Sequence, residues 1–132
     1  MQTPFSPSGS LRLAVLLLSA VFSALAMLFL LAPATGAAIY GFPAATPEAL
    51  FFVRTVGLRD LALAAYLTGL TLGGSTRALA ILLALTIIIP LGDLLLLASA
   101  GAGGPLHYLL HGASLLCFAG LGFWSWRSGR AT

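Results

Sequence analysis

Four long apolar stretches, at residues 11–32, 51–72, 78–98 and 106–126, alternate with short segments rich in glycine, proline and serine. Each is close to the roughly 20 residues that carry an α-helix across the hydrocarbon of a bilayer. The pattern predicts an all-α integral membrane four-helix bundle, up-down-up-down, made of two antiparallel hairpins. Residues 1–10, MQTPFSPSGS, have no apolar period and read as a flexible tail; residues 11–127 make one four-span domain, and 128–132 a C-terminal tail.

Arg12 ahead of an apolar core also suits a cleaved signal segment, but a core of about 19 residues exceeds the roughly 7 to 15 usual for one, so a retained span is expected. Ser19 and Ser23, with Ala20, Ala24 and Ala26, offer a small-residue surface to a neighbouring helix. The segment 33–50 holds three prolines and two glycines and is expected as a loop at the outer interface, with Ile39, Tyr40 and Phe42 as interfacial anchors or a lid. The turn GGSTR forces the second and third stretches into a hairpin. Pro90 should kink the third, because it has no N–H for the carbonyl one turn back, and Asp93 lies just beyond that kink. After the turn AGAGGP the fourth stretch ends at Trp124 and Trp126, residues suited to a membrane interface, followed by Arg127 and Arg130.

Composition settles the class. Of 132 residues 60% are hydrophobic and 7% charged, with a mean hydropathy of +1.08; soluble domains carry about 25% charged residues. A net charge of +3 spread over the whole chain is too sparse for a nucleic-acid surface. The single cysteine, Cys117, excludes an internal disulfide and reads as a small packed hydrophobe. No Gly-rich phosphate loop, nucleophile elbow or paired-cysteine motif is present.

Arg12, Arg77, Arg127 and Arg130 fall on one side of a four-span chain, which puts both termini in the cytoplasm. With that orientation and a rise of about 1.5 Å per residue, Arg59 and Asp60 lie about 12 to 14 Å below the outer face, and Asp93 and His111 about 8 Å. Placing any of them next to lipid is costly, so they are expected to meet in one buried cluster. Gly57, Asp60, Ala64 and Thr68 share a narrow face that turns Asp60 inward; Thr86, Pro90 and Asp93 share another, and His107, His111 and Ser114 a third. Arg59, about 100 degrees round the helix from Asp60, is expected to reach Asp93 or a backbone carbonyl, and Arg54 to snorkel without a partner.

The motifs R-x4-RDLAL (Arg54 to Leu63), P-x2-D (Pro90 to Asp93) and His111 resemble a family of small four-span membrane proteins described as a domain of unknown function, number 4267. The resemblance runs from the end of the first span to the fourth helix and implies the four-helix bundle and these polar positions, with no established activity. A glycine often follows RDLAL in that family, where this chain has Ala64.

Asp60, Asp93, His111 and Arg59 are the candidate catalytic residues. A histidine beside a carboxylate can exchange protons near neutral pH, and an arginine can hold an enolate or other anionic oxygen. A bundle this small suggests cofactor-free chemistry, such as isomerisation, cyclisation or cofactor-free oxidation, on a lipophilic molecule that enters from the bilayer. His107 and His111, four residues apart, with two carboxylates also resemble a mixed metal-ligand set, but the spacing is common and no metal is assigned; His107 is expected to be solvated. Two other classes stand beside the enzyme. The charges can lock helix packing in a structural or accessory subunit, or carry protons or a solute through a homo-oligomer. Gly69 and Gly73 form the one GxxxG pair, read as packing within the bundle.

Overall fold

The computed structural model describes residues 7–130, and the expected N-terminal tail up to residue 6, with residues 131–132, lies outside them. Six helices follow in order: α1 (Gly9–Leu31), α2 (Pro33–Tyr40), α3 (Pro47–Leu72), α4 (Thr76–Thr86), α5 (Ile88–Ser99) and α6 (Pro105–Ser128). No strand occurs among the described residues.

Local chemistry sets the helix ends. The hydroxyls of Ser8, Thr46 and Ser75 accept from the N–H groups of Leu11, Ala49 and Ala78, so each caps an N-terminus. The tail therefore ends earlier than expected: Pro7 is buried and helix begins at Gly9. The 33–50 loop is corrected more substantially, because α2 occupies its first half and α3 begins at Pro47. Pro33 and Pro47 stand in the first turns of their helices, where a missing N–H costs nothing. Gly41, at φ 104, ends α2 in the left-handed conformation that favours glycine. These helix breakers bound a helix instead of preventing one.

Thr76–Ser99 makes one apolar segment interrupted at Ile87. Pro90 cannot donate to the carbonyl of Thr86, and α4 stops there before α5 resumes. The kink expected from Pro90 takes this form.

α1 lies antiparallel along α3: Ser19 meets Ala64 and Thr68, while Leu30 meets Arg54. Thr68 donates to the Ser19 hydroxyl over 2.7 Å, and Ser19 donates to the Ala64 carbonyl over 2.8 Å. The small face of α3 permits this approach; a Cβ at Gly57 would stand 3.0 Å from the Ala26 carbonyl oxygen. On α1, Ser19 and Ala26 are buried, whereas Ala20 and Ala24 face outward. The pair α4–α5 lies antiparallel along α6, with Leu83 against Gly122 and Thr76 near Gly129. Phe22 and Phe118, with ring centroids 5.3 Å apart, join the two halves in a core that includes Val15, Leu67, Leu79 and Leu83.

The outside is apolar too. Leu13, Leu17 and Val21 on α1, Leu95 and Leu96 on α5, and Leu109 and Leu116 on α6 are all exposed, an outer surface suited to hydrocarbon rather than water. Three helices, Gly9–Leu31, Thr76–Ser99 and Pro105–Ser128, are long and apolar enough to cross a membrane. The 26-residue α3 has the length, but it carries Glu48, Arg54, Arg59 and Asp60 and is not among the three.

Candidate functional site

The site begins with the end of α2. A helix leaves its last carbonyls without intrahelical partners, and two histidines of α6 bind carbonyls here. Pro105 starts α6, and the His107 ring turns back so that Nδ1 accepts the Gly104 N–H over 2.8 Å. His107 Nε2 then donates to the Ala38 carbonyl, 3.1 Å away. One turn further, His111 Nε2 donates to the Tyr40 carbonyl over 2.9 Å. His107 is thus a clamp on α2, a role not expected from its position, although it is only half-buried. Gly41 lets the chain leave beneath that ring, since a Cβ there would stand 2.9 Å from His107 Cγ.

Tyr40 closes a ring of contacts. Its hydroxyl donates to Asp93 Oδ1 over 2.6 Å, while Asp93 Oδ2 lies 3.5 Å from His111 Nδ1. Asp93 reaches this point because the break before Pro90 restarts the helix, and Thr86, Pro90 and Asp93 all turn inward. The Tyr40 and His111 rings meet edge to face at 4.8 Å. Asp93 is 8% exposed overall, so this ring of groups is largely screened from its surroundings.

Stereochemistry places a proton in it. A carbonyl oxygen only accepts, so the His111 nitrogen facing Tyr40 carries hydrogen. The other nitrogen, Nδ1, faces the carboxyl of Asp93. Without hydrogen between them, a lone pair would confront a carboxylate in a low-dielectric interior, which is repulsive. One proton therefore lies between His111 Nδ1 and Asp93 Oδ2, giving either imidazolium and carboxylate or imidazole and carboxylic acid. The Tyr40 phenol does not compete for the role of charged partner: burial, then its hydrogen bond to Asp93, push its pKa well above the usual tyrosine range.

Arg59 and Asp60 form a second pair. Arg59 Nε and Nη2 donate to Asp60 Oδ1 at 3.3 and 3.2 Å. The expected reach from Arg59 to Asp93 is not observed. The guanidinium folds back along its own flexible stem to the carboxylate next in sequence, the nearest negative charge in a region of weak screening. Asp60 is buried at 3% exposure, whereas the Arg59 side chain is 40% exposed. No hydrogen bond among the described residues joins this pair to the Tyr40–Asp93–His111 ring, although both charges act on the Tyr40 hydroxyl electrostatically. Arg54, expected to lack a partner, donates to the Leu30 carbonyl at the end of α1.

Beside Tyr40 opens an apolar pocket of about 530 Å³, walled by Phe29, Phe42, Phe52, Val56 and Leu96. This volume falls in the range of about 300 to 1,000 Å³ that holds small organic ligands. Tyr40 is the one titratable residue among the described lining. Reading the sequence placed Tyr40 only as an anchor or lid. The available signal was its place in the segment expected at the outer interface, next to the depth expected for Asp93 and His111.

The metal alternative loses its ligands in this geometry. His107 uses both ring nitrogens on the backbone, His111 uses one, and no group of three histidine, cysteine or acidic side chains gathers among the described residues. Two packing expectations also change. Gly69 has open space where its Cβ would be, so GxxxG does not serve internal packing, and Cys117 is exposed.

Apolar-surfaced helices around a small polar ring define an all-helical membrane protein. Residues 19–125 match the family model described as Domain of unknown function (DUF4267), and the chain belongs to that family. No curated protein and no solved structure matches it.

The ring makes a stability prediction. In Asp93→Asn the amide N–H can donate to His111 Nδ1 and the amide oxygen can accept from Tyr40, so thermal unfolding in detergent should stay close to that of the unmodified protein. Asp93→Leu orphans two buried groups at about 1 to 3 kcal/mol each and should melt clearly lower. Equal melting of the two variants would contradict the ring.

Proposed function

We propose that the chain is a small membrane-embedded enzyme that isomerises or cyclises a lipophilic molecule by moving protons, with the apolar pocket beside Tyr40 as the binding site. The observation that carries this reading is that Tyr40, hydrogen-bonded to Asp93 beside His111, also lines an apolar, ligand-sized pocket.

The groups can pass a proton without any other reactant. With Asp93 ionised against His111, the Tyr40 oxygen accepts a proton from an acidic C–H of the bound molecule while its own hydrogen passes to Asp93. Reversal at a different carbon returns that proton and leaves an isomer of identical composition. Arg59 keeps N–H donors beyond those spent on Asp60 and lies one turn along α3 from Val56 in the pocket wall, where it can hold a developing enolate. Asp60 fixes that guanidinium. A tyrosine whose pKa is raised by burial suits a relay, because it does not release its proton to stand as a free phenolate.

A second reading, a structural or accessory membrane subunit, is supported by His107 and His111 on the carbonyls of α2, which lock α6 to α2.

The proposal includes four spans, α1, α3, α4–α5 and α6, running up-down-up-down in two antiparallel hairpins, with both termini cytoplasmic. It is supported by the antiparallel pairing of α1 with α3 and of α4–α5 with α6, and by the arginines of the tails and the turn before α4. The pairing of Arg59 with the buried Asp60 carboxylate gives α3 a way to tolerate two of its charges in a bilayer.

Activity can be followed without knowing the substrate, since the reaction conserves mass. Purified protein incubated with a lipophilic membrane extract should produce a new chromatographic peak isobaric with one that is consumed. Asp93→Asn should abolish that peak at unchanged protein level; an identical profile from both proteins would favour the locking reading. In a Cys117→Ala background, Ala45→Cys should react with an impermeant thiol reagent only from outside and Ser128→Cys only from the cytoplasm. Labelling of both from one side would overturn the topology.

A further inference from the structure

At the opposite end of the α4–α6 pair, far along both helices from Asp93 and His111, a second groove of about 710 Å³ runs between α4 and α6. Ile81, Ala84 and Phe123 line it, together with Arg77 and Arg130. The side-chain acids, Glu48, Asp60 and Asp93, all lie elsewhere, and among the described residues no carboxylate pairs with these two arginines. Arg130 lies over the Trp126 ring at 3.8 Å, a contact that holds the guanidinium by the groove and leaves its N–H edge free for an anion. In the groove wall, Ser125 is fully buried and its Oγ has no hydrogen-bond partner among the described residues. A buried hydroxyl without a partner costs about 1 to 3 kcal/mol, and an acceptor on a bound molecule would remove that cost.

We propose that this groove binds an anionic phospholipid. One acyl chain lies along Ile81, Ala84 and Phe123, the phosphate sits between Arg77 and Arg130, and the Ser125 hydroxyl donates to a glycerol ester oxygen. Each part of the molecule meets its complement: an apolar channel for the chain, a donor for the ester, two cations for the headgroup. Trp126 is where an indole is favoured, at the boundary between chain and headgroup. A phosphate ion alone would leave the channel and the serine unused, and a neutral lipid would leave the arginines without an anion.

The experiment uses the full chain purified in a neutral detergent, with melting followed on addition of dioleoylphosphatidylglycerol, dioleoylglycerol or inorganic phosphate. Dioleoylphosphatidylglycerol should raise Tm by about 4 °C or more, and the other two should leave it unchanged. Arg77→Gln with Arg130→Gln should abolish the shift, Ala84→Phe should do so by filling the channel with the charges intact, and Arg12→Gln should keep it. An equal shift from dioleoylglycerol or from inorganic phosphate overturns the proposal, as does a full shift in the double arginine variant. If that variant does not fold, the three probes and Ala84→Phe still decide, because a full shift in Ala84→Phe also overturns it.

Discussion

A carbonyl oxygen cannot give a proton, and much of the α2 end of this molecule follows from that. The Tyr40 carbonyl fixes hydrogen on one face of the His111 ring; the other face must then share a proton with Asp93, and Asp93 in turn receives the Tyr40 hydroxyl. Because Tyr40 contributes both its backbone and its side chain, this one residue joins α2 to α5 as well as α6, beside the bond from His107 to the Ala38 carbonyl. Gly41, Pro90 and Pro105 matter for the same reason. Each stops or starts a helix where one of the three partners is presented.

Elsewhere the bundle is held by different means. Inside a bilayer, apolar side chains gain little by leaving lipid, so helices associate through close packing and hydrogen bonds. The α1–α3 contact relies on Gly57 for approach and on the Ser19, Thr68 and Ala64 bonds for direction. The α4–α6 contact has Gly122 against Leu83 but leaves an open groove toward the basic end. The two halves therefore differ: one is closed by small residues and hydroxyls, the other is open to an occupant.

Much of this was legible from the sequence. Apolar run lengths gave the helical class, Pro90 the break in the third stretch, and the depth argument brought Asp93 next to His111. Tyr40 was missed because proline and glycine in residues 33–50 were weighed as helix breakers, when their positions make them helix boundaries: Pro33 opens α2 and Gly41 closes it. Arg59 was misplaced for a different reason. Angular separation on a helix wheel describes where Cα–Cβ bonds point, and a long flexible side chain can bend back through that angle to a neighbouring carboxylate. The roles of His107 and His111 as caps for another helix depend on where α2 lies in space, which no local spacing reveals.

The central claim concerns one proton, and nitrogen NMR of the two imidazoles tests it most directly. In ¹⁵N-histidine-labelled protein, the account predicts that His107 is the neutral tautomer with hydrogen on Nε2 alone. His111 should show hydrogen on Nε2 and a strongly hydrogen-bonded or protonated Nδ1, and Asp93→Leu should convert that Nδ1 signal to a free, unprotonated one. A free Nδ1 on His111 in the unmodified protein, beside an ionised Asp93, would contradict the account.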